Sequence, residues 1–191
     1  MIIDLFKILI YEKQLKINNK KIIKYCRKLK KHDKGKQITN VGGWQSTDLQ
    51  GKHFILNELF EDIEHFGNEY GKVLGLKLPL KIDNIWININ DYKDFNLEHF
   101  HGNSLISGVY YVKTQNNSGN IVFCNPSIDI MQQDWNKYTI EEHTIINSPR
   151  WIMPSKSGTL YLFPNYLKHF VQPNLSKSDR ISISFNLTKS F

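Results

Sequence analysis

The chain contains no alanine in 191 residues, only two cysteines and only three arginines. Missing alanine beside abundant Ile, Asn and Lys reads as a nucleotide bias of the genome, not as low-complexity disorder. Two cysteines, Cys26 and Cys124, are too few for a disulfide framework. Each falls in a stretch patterned as regular structure, which predicts buried thiols in a reducing compartment. No apolar run approaches membrane-spanning length. The start, Met1 to Lys7, has an early acid and no small-residue cleavage site, so no signal peptide is expected. These absences together predict a cytoplasmic protein.

What is present is enough for a full core: 40% hydrophobic and 13% aromatic residues in a length that predicts one domain, 1–191. The net charge of +7 is unevenly placed. Residues 1–36 hold twelve Lys/Arg against three Asp/Glu, and the remainder thirteen against fifteen. The excess lies on a predicted basic amphipathic helix over 18–31, with Ile22, Ile23, Cys26 and Leu29 on its inner side. A solvated helix face explains it; nucleic-acid attraction is the less favoured reading.

Helical spacing recurs from Phe54 to about Leu74, after an irregular turn at Gly42-Gly43, and a first strand is expected at Phe6–Tyr11. Beyond Pro79 the pattern changes to short strands: 85–92, around 99–101, 107–113, 119–124, 144–147, 159–163, 169–172 and 180–187. That predicts a jelly roll over 81–191, supported by a helical region over 1–80 with helices on one outer face. The stretch 126–142, carrying Met131, Trp135 and Tyr138, is the longest insertion and has the character of a lid.

His99 and His101 stand two apart and would share one face of a strand. His169 offers a third imidazole, leaving the open positions that non-haem iron oxygenases need. Seven histidines produce His-x-His by chance in roughly one such chain in four, so the spacing alone is weak. Arg180 adds weight, because this chain strongly prefers lysine and a planar guanidinium grips a carboxylate bidentately. Along Arg180–Leu187 one face carries Arg180, Ser182, Ser184 and Asn186, the other Ile181, Ile183, Phe185 and Leu187. Asn88 and Asn90 mirror this on an earlier strand. His143 is expected in an exposed turn, and His32, His53 and His65 on or beside helices, away from any metal.

Trp86-Ile-Asn-Ile-Asn90, Asn96, His99-Phe-His101, Ser107-Gly-Val-Tyr-Tyr-Val112, Ser118-Gly119, Ser157-Gly-Thr-Leu160, Phe163-Pro164, His169 and Arg180-Ile-Ser-Ile-Ser-Phe-Asn186 form a connected set. With Gly42-Gly43-Trp44-Gln45-Ser46, it resembles the 2-oxoglutarate/Fe(II)-dependent oxygenases common in phages and marine bacteria, a prolyl-hydroxylase-like group. The resemblance implies a double-stranded β-helix with Fe(II) on His99, His101 and His169. It also implies 2-oxoglutarate held by Arg180 and Tyr111 with Ser182 as helper, O2 as oxidant, and hydroxylation of a substrate with release of succinate and CO2. Asn88 is a further candidate contact. The wider superfamily has Asp or Glu where this chain has His101, which leaves the ferrous centre one charge more positive and does not open a halide position. Two other readings remain open: a cupin-like metal enzyme without 2-oxoglutarate, such as a thiol dioxygenase or isomerase, and a non-catalytic β-sandwich binding through its basic helix. No motif names the primary substrate, and none speaks to oligomeric state.

Overall fold

The computed structural model describes residues 1–3, 5–49 and 54–190. In chain order the first elements are β1 (Tyr11–Gln14), α1 (Asn19–Lys30), β2 (Asn40–Val41), β3 (Trp44–Gln45), α2 (Asn57–Val73), β4 (Leu80–Asn90) and β5 (Phe95–His99). There follow β6 (Ile106–Lys113), β7 (Ile121–Cys124), α3 (Ile128–Asp134), β8 (Arg150–Met153), β9 (Thr159–Pro164), β10 (His169–Val171) and β11 (Arg180–Lys189). They form two antiparallel sheets, ordered β1-β9-β6-β11-β4-β3 and β2-β5-β10-β7-β8.

Strand alternation sets the layers. In β11, Ile181, Ile183, Phe185 and Leu187 are buried on one face and pack with Ile85, Ile87 and Ile89 of β4. The register opposes Ile181 to Ile89, Ile183 to Ile87 and Phe185 to Ile85, so apolar meets apolar across the pair. Helices α1 and α2 cover this face with Ile22, Cys26, Leu59, Ile63 and Tyr70. Gly67 of α2 permits the close approach, since a Cβ there would lie 2.2 Å from Leu187 Cδ1. The opposite face of β11 looks toward the second sheet. Between the sheets Val109, Tyr111, Ile121, Phe123, Tyr161, Phe163 and Leu167 make a smaller core, and a cavity opens beside it.

Several elements differ from the sequence expectation. The first strand is Tyr11–Gln14 and not Phe6–Tyr11. Phe6 takes a positive φ of 55°, which interrupts an extended run, and the carbonyl of Leu9 accepts from the Tyr70 hydroxyl instead of from a strand. The expected strand at 144–147 is a turn. Asn147 accepts from the Thr144 backbone N–H at 2.7 Å and donates to Glu142 O at 3.0 Å, local bonds that compete with strand pairing. β8 takes the sheet edge instead, paired with β7. The 126–142 insertion contains α3, which has no buried residue, and neither it nor Trp135 or Tyr138 lines the cavity. His53 lies outside the described residues. Both cysteines are free and buried, as expected. No helix among the described residues is long and apolar enough to cross a membrane.

Asp179, just before β11, ties the helical layer to the sheet. Arg27 of α1 grips its carboxylate at 2.8 and 3.2 Å, and Lys113 of β6 reaches the same group. Burial alone would raise the Asp179 pKa, but the hydrogen bonds from Arg27 and Lys113 take it down to about 2. The resulting stability is present above the ordinary carboxyl range and is lost as pH falls toward about 2. Asp179→Asn is expected to lower stability to denaturant at neutral pH. Its deficit relative to wild type should shrink as pH drops below about 4; a deficit independent of pH in that range would contradict the account.

Candidate active site

Cross-strand pairing brings the first two histidines together. His169 opens β10 directly opposite His99, the last residue of β5, with ring centroids 4.4 Å apart. The same pair contains a register slip, with Val171 opposite Asn96, so β5 carries one extra residue. Both Asn96 and His99 consequently line the cavity. His101 does not share a strand with His99, because β5 ends before it. Its backbone is held instead by Asn165: His101 N–H donates to Asn165 O at 3.0 Å, and Asn165 Nδ2 donates to His101 O at 2.9 Å. The ring centroid of His101 lies 5.1 Å from that of His99 and 5.2 Å from that of His169, and one ring nitrogen from each of the three lies within 4.8 Å of the others.

Hydrogen bonds decide which nitrogens are available. His99 Nδ1 lies 2.7 Å from Leu97 O, His169 Nδ1 2.9 Å from Leu167 O, and His101 Nδ1 2.6 Å from Asn186 Oδ1. An amide or peptide oxygen only accepts, so each Nδ1 carries the hydrogen and each Nε2 keeps its lone pair. Burial lowers the pKa of all three, that of His101 to about 4 and that of His169 to about 3. At neutral pH they are neutral imidazoles in the tautomer a metal requires. A divalent cation that prefers nitrogen donors fits this set.

The same cavity is also lined by groups suited to an anion. Arg180 is 1% exposed and has no carboxylate partner among the described residues. Its Nη1 donates to Gln172 O at 2.9 Å and to Ser118 O, while Nη2 is buried without a partner among the described residues. Gly119 makes room for this side chain: with a φ of 80°, a Cβ there would stand 2.7 Å from Nη1. The Tyr111 hydroxyl is also buried and unpartnered, and burial pushes its pKa up to about 12, so it is a neutral donor. Ser182 sits opposite Tyr111 on one side and Asn88 on the other. Asn88 Nδ2 donates to Ser184 Oγ at 3.1 Å, leaving its Oδ1 unpartnered. A guanidinium nitrogen and a hydroxyl buried without partners are costly unless a ligand completes them. The carboxylate of a small acid fits both.

His99, His101, His169, Tyr111, Arg180, Ser182 and Asn88 all line one cavity of about 360 Å³. Asn90 stands opposite Arg180 in the ladder but is not among its lining residues. His65 lies on α2 beside Glu69, and His32 and His143 are exposed, all apart from the cavity as expected. Sequence reasoning placed Trp86 on the cavity-facing side of its strand but gave it no role, although its ring lies 5.8 Å from His101, and it missed Lys36 at the cavity wall. It also gave Asn186 no role beyond a polar strand face. Trp86 and Asn186 stand on the cavity-facing alternation of β4 and β11, which was the available signal.

Residues 84–186 match the protein family described as "Putative 2OG-Fe(II) oxygenase". No curated protein matches the chain. In fold it is similar to a prolyl-4-hydroxylase from Pseudomonas putida, at 11% identity over 95% of this chain and 93% of that one, with a TM-score of 0.66. It is similar also to a viral collagen prolyl hydroxylase from Paramecium Bursaria Chlorella virus-1, solved as its 2OG complex, at 11% identity over 95% and 96% of the two chains and a TM-score of 0.63. HygX from Streptomyces hygroscopicus, solved with nickel and 2-oxoglutarate bound, gives 11% identity, coverage of 95% and 83%, and a TM-score of 0.65. These likenesses identify the two-sheet architecture as the double-stranded β-helix of 2-oxoglutarate oxygenases. With the family match spanning more than half of its length, the chain belongs to the 2OG-Fe(II) oxygenase family of enzymes.

Proposed function

We propose that the protein is a non-haem Fe(II)- and 2-oxoglutarate-dependent dioxygenase that hydroxylates its substrate and releases succinate and CO2. The observation that carries this reading is the unpartnered pair, Arg180 Nη2 and the Tyr111 hydroxyl, in the same cavity as three neutral histidines with free Nε2 atoms. In this reading His99, His101 and His169 hold Fe(II), and Arg180 and Tyr111 receive the far carboxylate of 2-oxoglutarate. Ser182 and Asn88 stand beside that carboxylate as further polar contacts. Bound Fe(II) supplies the activation of dioxygen, coupled to oxidative decarboxylation of the cosubstrate. The protein orients the acid by a charge-assisted contact from one end and excludes water with Ile121, Phe163 and Val109. Two free buried cysteines agree with a reducing, cytoplasmic location.

The all-histidine donor set is the one observation that favours a second reading, metal-dependent oxygenation without 2-oxoglutarate. Product analysis separates the two. Anaerobic addition of Fe(II) and then 2-oxoglutarate is expected to give a visible charge-transfer band, and air should then release succinate as the cosubstrate is consumed. His169→Ala should abolish the band. Wild-type protein that binds Fe(II) without band or succinate would overturn the 2-oxoglutarate reading and leave the second.

Tyr111→Phe separates binding from folding. Removing a buried hydroxyl that has no partner should leave the stability of the ligand-free protein unchanged or raised, by up to about 1–3 kcal/mol. The same change should weaken 2-oxoglutarate binding by roughly 3–10-fold, one hydrogen bond's worth. Arg180→Lys should weaken it by roughly 10–100-fold, through loss of a charge-assisted planar contact. Calorimetric titration and denaturant unfolding read both quantities. A Tyr111→Phe protein that is markedly less stable yet binds 2-oxoglutarate normally would contradict the assignment.

A further inference from the structure

The three candidate ligands are not secured in the same way. His99 and His169 each donate from Nδ1 to the carbonyl two residues earlier in their own segment, Leu97 and Leu167, an acceptor that no substitution removes. His101 lies past the end of β5, and its Nδ1 acceptor is a side chain from the opposite sheet, Asn186 of β11. Asn186 is 6% exposed, and both its side-chain oxygen and its nitrogen are engaged. Its Oδ1 accepts from His101 at 2.6 Å and from the Ser107 hydroxyl at 2.7 Å, and its Nδ2 donates to Asn84 Oδ1 at 2.7 Å. The donation to Asn84 directs the carboxamide oxygen at His101, and Ser107 on the neighbouring β6 strand backs it from the side. Trp86 limits the ring from another direction.

We propose that Asn186 is the positioning residue that makes a histidine serviceable at position 101. Its carboxamide oxygen selects the tautomer of His101 and aims Nε2 at the point on which the other two rings converge. A carboxylate ligand at this position would offer either oxygen to a metal and would need no tautomer selected. An imidazole has one usable nitrogen, and it points correctly only if the other is anchored. Without Asn186, His101 alone among the three would lose its anchor. The inference rests on the metal-site reading of the triad, but the tautomer it assigns to His101 exists in the metal-free protein.

The test compares wild type with Asn186→Leu, which has similar size and no acceptor, and Asn186→Asp, which keeps one. In the Asn186→Asp variant the introduced carboxylate still accepts from His101 and Ser107, and the Asn84 amide can turn to donate to it. Optical titration with Co(II) should show Asn186→Leu binding roughly 10–100-fold more weakly than wild type, and Asn186→Asp within about threefold of it. Nitrogen-15 NMR of the metal-free proteins should show His101 losing its single Nδ1–H form in Asn186→Leu, with His99 and His169 unchanged. Normal Co(II) affinity and an unchanged His101 in Asn186→Leu would overturn the proposal. If that variant does not fold, a loss of about tenfold or more in Asn186→Asp would do so. Wild type that binds no Co(II), or binds it equally well as His169→Ala, would instead overturn the metal site, and the NMR comparison would still decide the role of Asn186.

Discussion

Three hydrogen bonds at Nδ1, from His99, His101 and His169, govern the centre of this molecule, because each fixes a neutral imidazole with its Nε2 lone pair free. Burial reinforces them by disfavouring the charged form. Protonated, three cationic rings within ring-contact distance would repel one another. Neutral and anchored, they present three donors to one point. The surrounding structure supplies the anchors: the β5–β10 pairing aligns two rings, and closure of the second sheet over the first brings Asn186 to the third.

The second constraint is charge. The candidate ligands carry none, whereas a superfamily site with an acid in place of His101 carries one negative charge. Arg180, buried and without a carboxylate partner among the described residues, adds a positive charge to the same cavity. A divalent cation and a guanidinium in one small cavity would be poorly tolerated unless an anion joined them. A dicarboxylate is the natural complement, with one end toward the triad and the other toward Arg180 and Tyr111. In the proposed reading, a histidine and not an acid at position 101 strengthens the demand for an anionic cosubstrate, and Asn186 takes on the work of orienting that ligand.

Much of this was legible in the residues. The alternation in β11 and β4 correctly gave both faces, because period-two burial is a local property once one face is apolar. The rarity of arginine in a lysine-rich chain singled out Arg180, and the structure gives that position the burial a lysine would resist. The histidine spacing grouped three side chains that the structure also brings together, but for an incomplete reason. His101 is off the strand, and its place depends on Asn165 and Asn186, sixty-four and eighty-five residues away. Such contacts leave no periodic trace. The same holds for the turn at 144–147, where the Asn147 side chain satisfies the backbone locally, and for β1, whose bounds are set by pairing with β9 and not by its own apolar run.

The central claim is that a metal site and an anion site share one cavity and are completed together. A crystal grown with Mn(II) and 2-oxoglutarate under anaerobic conditions tests it most directly by anomalous diffraction. The account predicts a single strong metal peak among the Nε2 atoms of His99, His101 and His169, with the far carboxylate of 2-oxoglutarate on Arg180 Nη2 and the Tyr111 hydroxyl. A metal peak elsewhere, or a cosubstrate that leaves Arg180 and Tyr111 unpartnered, would contradict it.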